Sequence, residues 1–139
     1  MADELDAVRA ANDRFYRAFE SLTLAEMESV WVHGDRVACV HPGWPRLTGW
    51  AAVRDSWDAI FRNTREIRFT LTEVEVEVVG DLAWILCTEN ILAEARGNLS
   101  VTAILATNLF ERHATEWLMV HHHASHVLAA RGGEETDTP

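Results

Sequence analysis

Positive charge is scarce in this chain: 12 basic residues stand against 22 acidic ones among 139, a formal net charge of -10. Such a surface repels phosphate backbones and anionic headgroups, which argues against nucleic-acid or membrane-surface partners. Cysteine is scarce too. Cys39 in RVACVHP and Cys87 in WILCTEN both sit in strand-like apolar runs without CxxC spacing, so a disulfide framework is not expected and buried free thiols in a reducing compartment are. No apolar stretch is long enough to span a bilayer, and the charged start MADELDAVRAAND lacks the apolar segment of a secretory signal. A cytoplasmic location is therefore expected. There is no internal repeat to suggest a solenoid.

What the chain does have is apolar mass. Hydrophobic residues make up 48% and six are Trp, enough to build one domain with a core of its own. Leu5, Val8, Asn12, Phe15, Phe19 and Leu22 fall at three- and four-residue steps and predict a first helix. Thr23 with Glu26 three residues later predicts a capping box opening a short second helix through MESVW. DRVACVHP predicts a short strand stopped at Pro42, GWPRLTG a loop, and Trp50, Val53, Trp57, Ile60 and Phe61 a third helix over 50–63.

The rest predicts sheet. In EIRFTLTEVEVEVV the apolar phase is odd at Ile67, Phe69 and Leu71 but even at Val74, Val76 and Val78, so a bulge near Thr72 is expected. Turns at Gly80-Asp81, Gly97-Asn98 and HATE separate three further strands. Glu73, Glu75 and Glu77 alternate on one face and are expected in solvent. The domain is expected over residues 1–127, with 128–139 an acidic, disordered tail. AWILC and VTAILA are apolar on both faces. Helices can cover one face, and a second copy of the chain is the economical cover for the other, which predicts a homodimer. The expected fold is α+β: a cone-shaped curved antiparallel sheet whose concave face is closed by three N-terminal helices, leaving a cavity for a small organic molecule.

VHHHASH places four histidines within seven positions, inside the fold rather than as a terminal tag. Strand alternation sets His121 and His123 on one face and His122 on the other with Leu118, Val120 and Ala124. A three-residue HATE loop with a bulge would put Asn108 opposite His122, whereas a two-residue loop would put it opposite His121. His121, His123 and His126 or a partner residue could hold zinc, but no HxxxH or cysteine companion accompanies them. Polar groups at a wet subunit interface are preferred, and neither metal nor cofactor is expected. Glu89 interrupts the apolar run ILCTENIL, so it reaches solvent or enters a polar cavity, where it would act on a neighbouring imidazole.

Three strings, VHPGWPRLTGWAAVRDSW, ATNLFERHATEWLMV and VHHHAS, together with the element order, resemble the SnoaL-like and ketosteroid-isomerase-like members of the nuclear transport factor 2-like superfamily. The last also resembles the end of the association domain of calcium/calmodulin-dependent protein kinase. The resemblance implies a catalytic site. His41 takes the place of the isomerases' general base, and an imidazole suits proton transfer near neutral pH. The tyrosine donor's place falls on Phe15 rather than Tyr16, and the acid donor's on Thr107 or Asn108, so steroid isomerisation itself is not implied. Likeness to the kinase domain favours the register that sets Asn108 beside His122. The resulting expectation is proton abstraction next to a carbonyl by His41, with Asn108 and His122 polarising the carbonyl and Glu89 supporting the imidazole. Tyr16, Trp44 and Trp57 are the candidate ligand contacts, and Trp50 is expected in the core. A non-catalytic binding or oligomerisation module is the alternative. So is a hydrolase or dehydratase in which a His/Glu pair activates water, which requires Glu89 within hydrogen-bonding reach of an imidazole.

Overall fold

A computed structural model describes residues 2–127; the expected acidic tail lies outside the described residues. Helix α1, Ala2–Ser21, turns Val8, Asn12, Phe15 and Phe19 inward, as their spacing predicts, together with Ala11; Leu5 at the start of the expected stripe stays 36% exposed, and Leu22 lies beyond the helix end. Helix α2, Leu24–Ser29, follows immediately. The expected capping box does not form. Leu22 adopts a left-handed conformation (φ 55°) that turns the chain back, and the Thr23 hydroxyl donates to the Ser21 carbonyl at 3.2 Å instead of capping α2.

Strand β1, Ala38–Val40, stops before Pro42. The following loop contains a second strand, β2, Leu47–Thr48, paired antiparallel with β1. Two residues are too few to show a period, so sequence alone reads this segment as loop. Helix α3, Trp50–Arg62, buries Val53, Ser56, Trp57 and Phe61.

The remaining strands form a meander: β3 Glu66–Val79, β4 Leu82–Ala95, β5 Asn98–His113 and β6 Glu116–His126. They extend into one curved, unclosed sheet ordered β2-β1-β6-β5-β4-β3, with β1 parallel to β6. The expected bulge interrupts β3 between Thr72 and Glu75, with Glu73 in left-handed conformation (φ 54°). It resets the phase so that Ile67, Phe69, Leu71, Val74, Val76 and Val78 all contribute to the core.

The β5–β6 hairpin reaches one expected register by another route. His113 pairs with Glu116, so the loop has two residues, and an uninterrupted ladder would place Asn108 opposite His121. A bulge farther down, between Phe110↔Met119 and Leu109↔His121, leaves Val120 as the extra residue and brings Asn108 opposite His122.

Aromatic rings fill the concave side. Trp57 packs against Phe19 and Phe15 with centroids 4.8 and 5.7 Å apart, and Phe19 reaches Phe69 at 4.7 Å. On the convex side Leu86, Leu92, Val101 and Leu105 are exposed. Among the described residues, no helix is long and apolar enough to cross a membrane.

Candidate active site

The interior is apolar except for six buried polar side chains among the described residues: Asn12, His41, Ser56, Glu89, Asn108 and His122. Alternation explains how the strands deliver theirs. Glu89 follows Ala83, Ile85 and Cys87 along the inner face of β4; Asn108 lies between Ala106 and Phe110 on β5, opposite Ile85; and His122 lies between Asn108 and Cys39, which belongs to β1. Helix α1 lowers Asn12 and Tyr16 onto them from above, one turn apart.

Four of these side chains form a continuous chain with Tyr16. The Tyr16 hydroxyl donates to Glu89 Oε2 at 2.5 Å and lies 3.6 Å from the Cys87 sulfur. One Asn108 Nδ2 hydrogen goes to the Tyr16 oxygen at 3.1 Å and the other to Asn12 Oδ1 at 2.9 Å. Asn108 Oδ1 accepts from His122 Nδ1 at 2.6 Å. The Asn108 amide is thereby satisfied at both ends, and His122 Nε2 keeps a lone pair with no protein partner among the described residues. His41 is held separately. Ser56 Oγ donates to the Val53 carbonyl at 2.6 Å, so the 2.9 Å contact with His41 Nε2 has the imidazole N–H donating. The remaining His41 lone pair is on Nδ1, 3.9 Å from the Cys39 sulfur.

Burial sets the charge states. It pushes the Glu89 carboxyl up to about 7, opposed by its Tyr16 hydrogen bond. It pulls His41 down to about 4 and His122 well below the usual imidazole range, with His41 and the flanking histidines adding to the latter. Burial also raises the Tyr16 phenol, with the Glu89 charge contributing, and pushes the Cys87 thiol up to about 11. Both inner imidazoles are therefore neutral near pH 7, and each keeps one ring nitrogen able to accept a proton, His122 Nε2 and His41 Nδ1, the latter beside the Cys39 thiol. His41 and His122 lie 6.4 Å apart, centroid to centroid, and Trp57 lies 4.7 Å from His41 and 5.9 Å from His122. The buried Trp57 indole N–H has no hydrogen-bond partner among the described residues. One unused donor, one unused acceptor and one acceptor met only by the Cys39 thiol thus belong to three neighbouring rings.

The sequence profile of the SnoaL-like domain matches residues 8–130. The chain belongs to the SnoaL-like domain family. A solved structure from Streptomyces avermitilis, provisionally named a dehydratase of the NTF2-like family, is 41% identical, with a TM-score of 0.87 over 92% of this chain and 99% of the other. A second, from Thiobacillus denitrificans, provisionally named a calcium/calmodulin-dependent protein kinase type II association domain, is 37% identical, with a TM-score of 0.77 over 86% and 94%. The F-box protein SKIP8 of Arabidopsis thaliana is 30% identical over 122 residues, 88% of this chain. The chain spans about half the length of that curated relative.

Against this SnoaL-like frame, the structure gathers His41, Asn108, His122, Glu89, Tyr16 and Trp57 in one interior. Trp44 is 40% exposed, its ring edge-on to His41 at 5.0 Å, and Trp50 is half-buried and stacked on His33 at 4.3 Å. Thr107 points to the outer face, across from His123, with His121 and His123 beside it. Among the described residues no group of three or more metal-ligating side chains converges. Glu89 bonds neither imidazole; Tyr16 and Asn108 stand between it and His122. Phe15, at the tyrosine's expected place, packs on His122 at 4.9 Å, and its neighbour Tyr16 supplies the hydroxyl. Sequence reading gave Asn12 and Ser56 no role. Asn12 was legible as the polar residue on α1's buried stripe, whereas nothing in the pattern marks Ser56.

Proposed function

We propose that this SnoaL-like chain takes up a small organic molecule between the sheet and α3 and removes a proton next to a carbonyl, giving isomerisation, cyclisation or dehydration. What carries this reading is a pair of neutral imidazoles, His122 with an unused lone pair on Nε2 and His41 with one on Nδ1 that meets only the Cys39 thiol, beside an indole N–H without a partner among the described residues. In this scheme His41 or His122 Nε2 accepts the proton as general base. The carbonyl is polarised by the Trp57 N–H rather than by Asn108, both of whose amide hydrogens are already committed. Glu89 and Tyr16 hold the network behind His122, and Trp44 borders the entrance beside His41. Because Trp57 and His122 are fully buried, entry requires the 41–49 loop and α3 to move away from the sheet. Gly43 and Gly49, both in left-handed conformation, give that loop two pivots.

The test begins with native mass spectrometry of protein purified without added ligand. An organic adduct that is retained by wild type and lost in Trp57→Ala supports the pocket and supplies a chemical class to assay. Activity on that class that survives in both His41→Ala and His122→Ala would remove imidazole catalysis from the mechanism.

The tight ring packing favours a second reading, a non-catalytic binding or oligomerisation module; the relative named as a kinase association domain supports it. In both readings we infer a homodimer through the outer sheet face. Its support is the exposed apolar set Leu86, Leu92, Val101 and Leu105 on the sheet face opposite the helices. His121 and His123 lie at one side of that set.

A further inference from the structure

We propose that Glu89 is a positioning residue that fixes the tautomer of His122 through Tyr16 and Asn108. The inference rests on the reading of His122 as a base, and it concerns what makes Nε2 an acceptor.

Consider which members of the chain can reverse. A hydroxyl donates one hydrogen and accepts elsewhere, so Tyr16 alone has no preferred direction. A primary amide presents oxygen on one side and nitrogen on the other, and a half-turn exchanges them, so Asn108 has none either. Asn12 is also an amide and can turn over together with Asn108. The imidazole has two neutral tautomers. Every link from Asn12 to His122 could therefore run in either sense, although the reversed sense leaves one Asn108 amide hydrogen unpaired.

The ionised Glu89 carboxylate cannot, because it only accepts. Its 2.5 Å contact obliges the Tyr16 hydroxyl to donate to it. The Tyr16 oxygen can then only accept from Asn108, which turns Nδ2 toward Tyr16 at 3.1 Å and Oδ1 toward His122. Oδ1 in turn requires the His122 proton on Nδ1, at 2.6 Å, and leaves the lone pair on Nε2. Three hydrogen bonds thus carry the sense of one carboxylate to a ring it does not touch. The arrangement also accounts for a costly feature, a carboxylate 2% exposed in a protein interior. With the chain reversed, His122 would present an N–H at Nε2 and could not abstract a proton.

The test is the tautomer itself, read from the His122 ring nitrogen shifts in long-range 1H–15N spectra of the ligand-free, full-length protein above neutral pH. Wild type is expected to hold a single Nδ1–H form. Tyr16→Phe, which cuts the chain, and Glu89→Gln, which restores a donor at its end, are each expected to give a mixture of both forms. Asn108→Asp is expected to keep Nδ1–H, since a carboxylate facing His122 only accepts. An Nε2–H form in wild type would overturn the proposal, and so would an unmixed Nδ1–H form in Glu89→Gln. Should Tyr16→Phe not fold, the isosteric Glu89→Gln carries the decision alone. No substrate is involved, so the absence of turnover would sink the proposed function without touching this result.

Discussion

Asn108 stands directly across the β5–β6 ladder from His122, with Oδ1 2.6 Å from Nδ1, only because Val120 bulges out of β6. Without that extra residue the two-residue turn would pair Asn108 with His121, whose ring belongs to the convex face. One backbone irregularity therefore decides which imidazole enters the interior.

Asn108 is the hub of the buried network, so its loss leaves Asn12, Tyr16 and His122 short of partners simultaneously. Asn108→Leu is expected to cost about 2–4 kcal/mol, the desolvation cost of stranded buried polar groups. Asn108→Asp keeps an acceptor for His122 but loses both amide hydrogens and buries a second carboxylate beside Tyr16, so it should cost at least as much. Urea titrations with an unchanged slope would measure both; a Leu variant within about 0.5 kcal/mol of wild type would show the network to be energetically idle.

Glu89 makes a pH-dependent contribution whose sign is the reverse of a surface carboxylate's. Its folded pKa of about 7 lies above the ordinary 4.5, so between these values the native state binds more protons than the unfolded state. Its contribution is most favourable below 4.5 and declines as pH rises through 7. His41, lowered to about 4, acts oppositely, adding stability as pH rises from 4 toward 6.5. Glu89→Gln removes the first effect and leaves the second. The variant should therefore gain on wild type by roughly 3 kcal/mol between about pH 5 and about pH 8, as read by urea unfolding. A stability difference independent of pH would mean that Glu89 does not titrate in that range.

The bulge in β3 holds Glu73 at φ 54°, where a side chain is strained and a β-branched one more so. Its carboxylate accepts from the exposed Thr88 hydroxyl at 2.7 Å, a contact worth little in solvent. Glu73→Gly is expected to match or exceed wild-type stability, and Glu73→Ile to fall about 1–2 kcal/mol below the Gly variant. Thermal melts of the two would reveal an equal or opposite ranking if the backbone were free to relax.

On the convex face, Leu105 is 51% exposed within the same apolar set. If a second copy covers it, Leu105→Glu should convert the dimer to a folded monomer by burying a charge without a partner. Sedimentation equilibrium distinguishes the cases: a wild-type monomer at all concentrations would refute the dimer.

Much of the architecture was legible in the sequence because apolar period is a local property. The helix stripe of Val8, Asn12, Phe15 and Phe19, the phase change around Thr72 and the glycine turns each show in a window of a few residues. Burial at Glu89 was legible in part, as a carboxylate interrupting an apolar strand. What was not legible was geometry that depends on counting along two strands at once. The turn and the bulge both shift register, and only their sum matters, so a three-residue loop and a displaced Val120 look alike from the sequence.

The sequence by itself determined the α+β order of elements, the acidic surface and the inner and outer sets of the strands up to β5, because these follow from composition and the two-residue pleat; on β6 the bulge at Val120 resets the pleat. Tertiary structure decided which polar groups meet. Tyr16 and Glu89 are separated by 73 positions and Asn12 and Asn108 by 96, and no local pattern encodes a hydrogen bond that forms only when α1 settles onto the sheet. It also decided the roles available to each ring, since a lone pair left over on His41 or His122 is defined by what every neighbouring donor and acceptor has already taken.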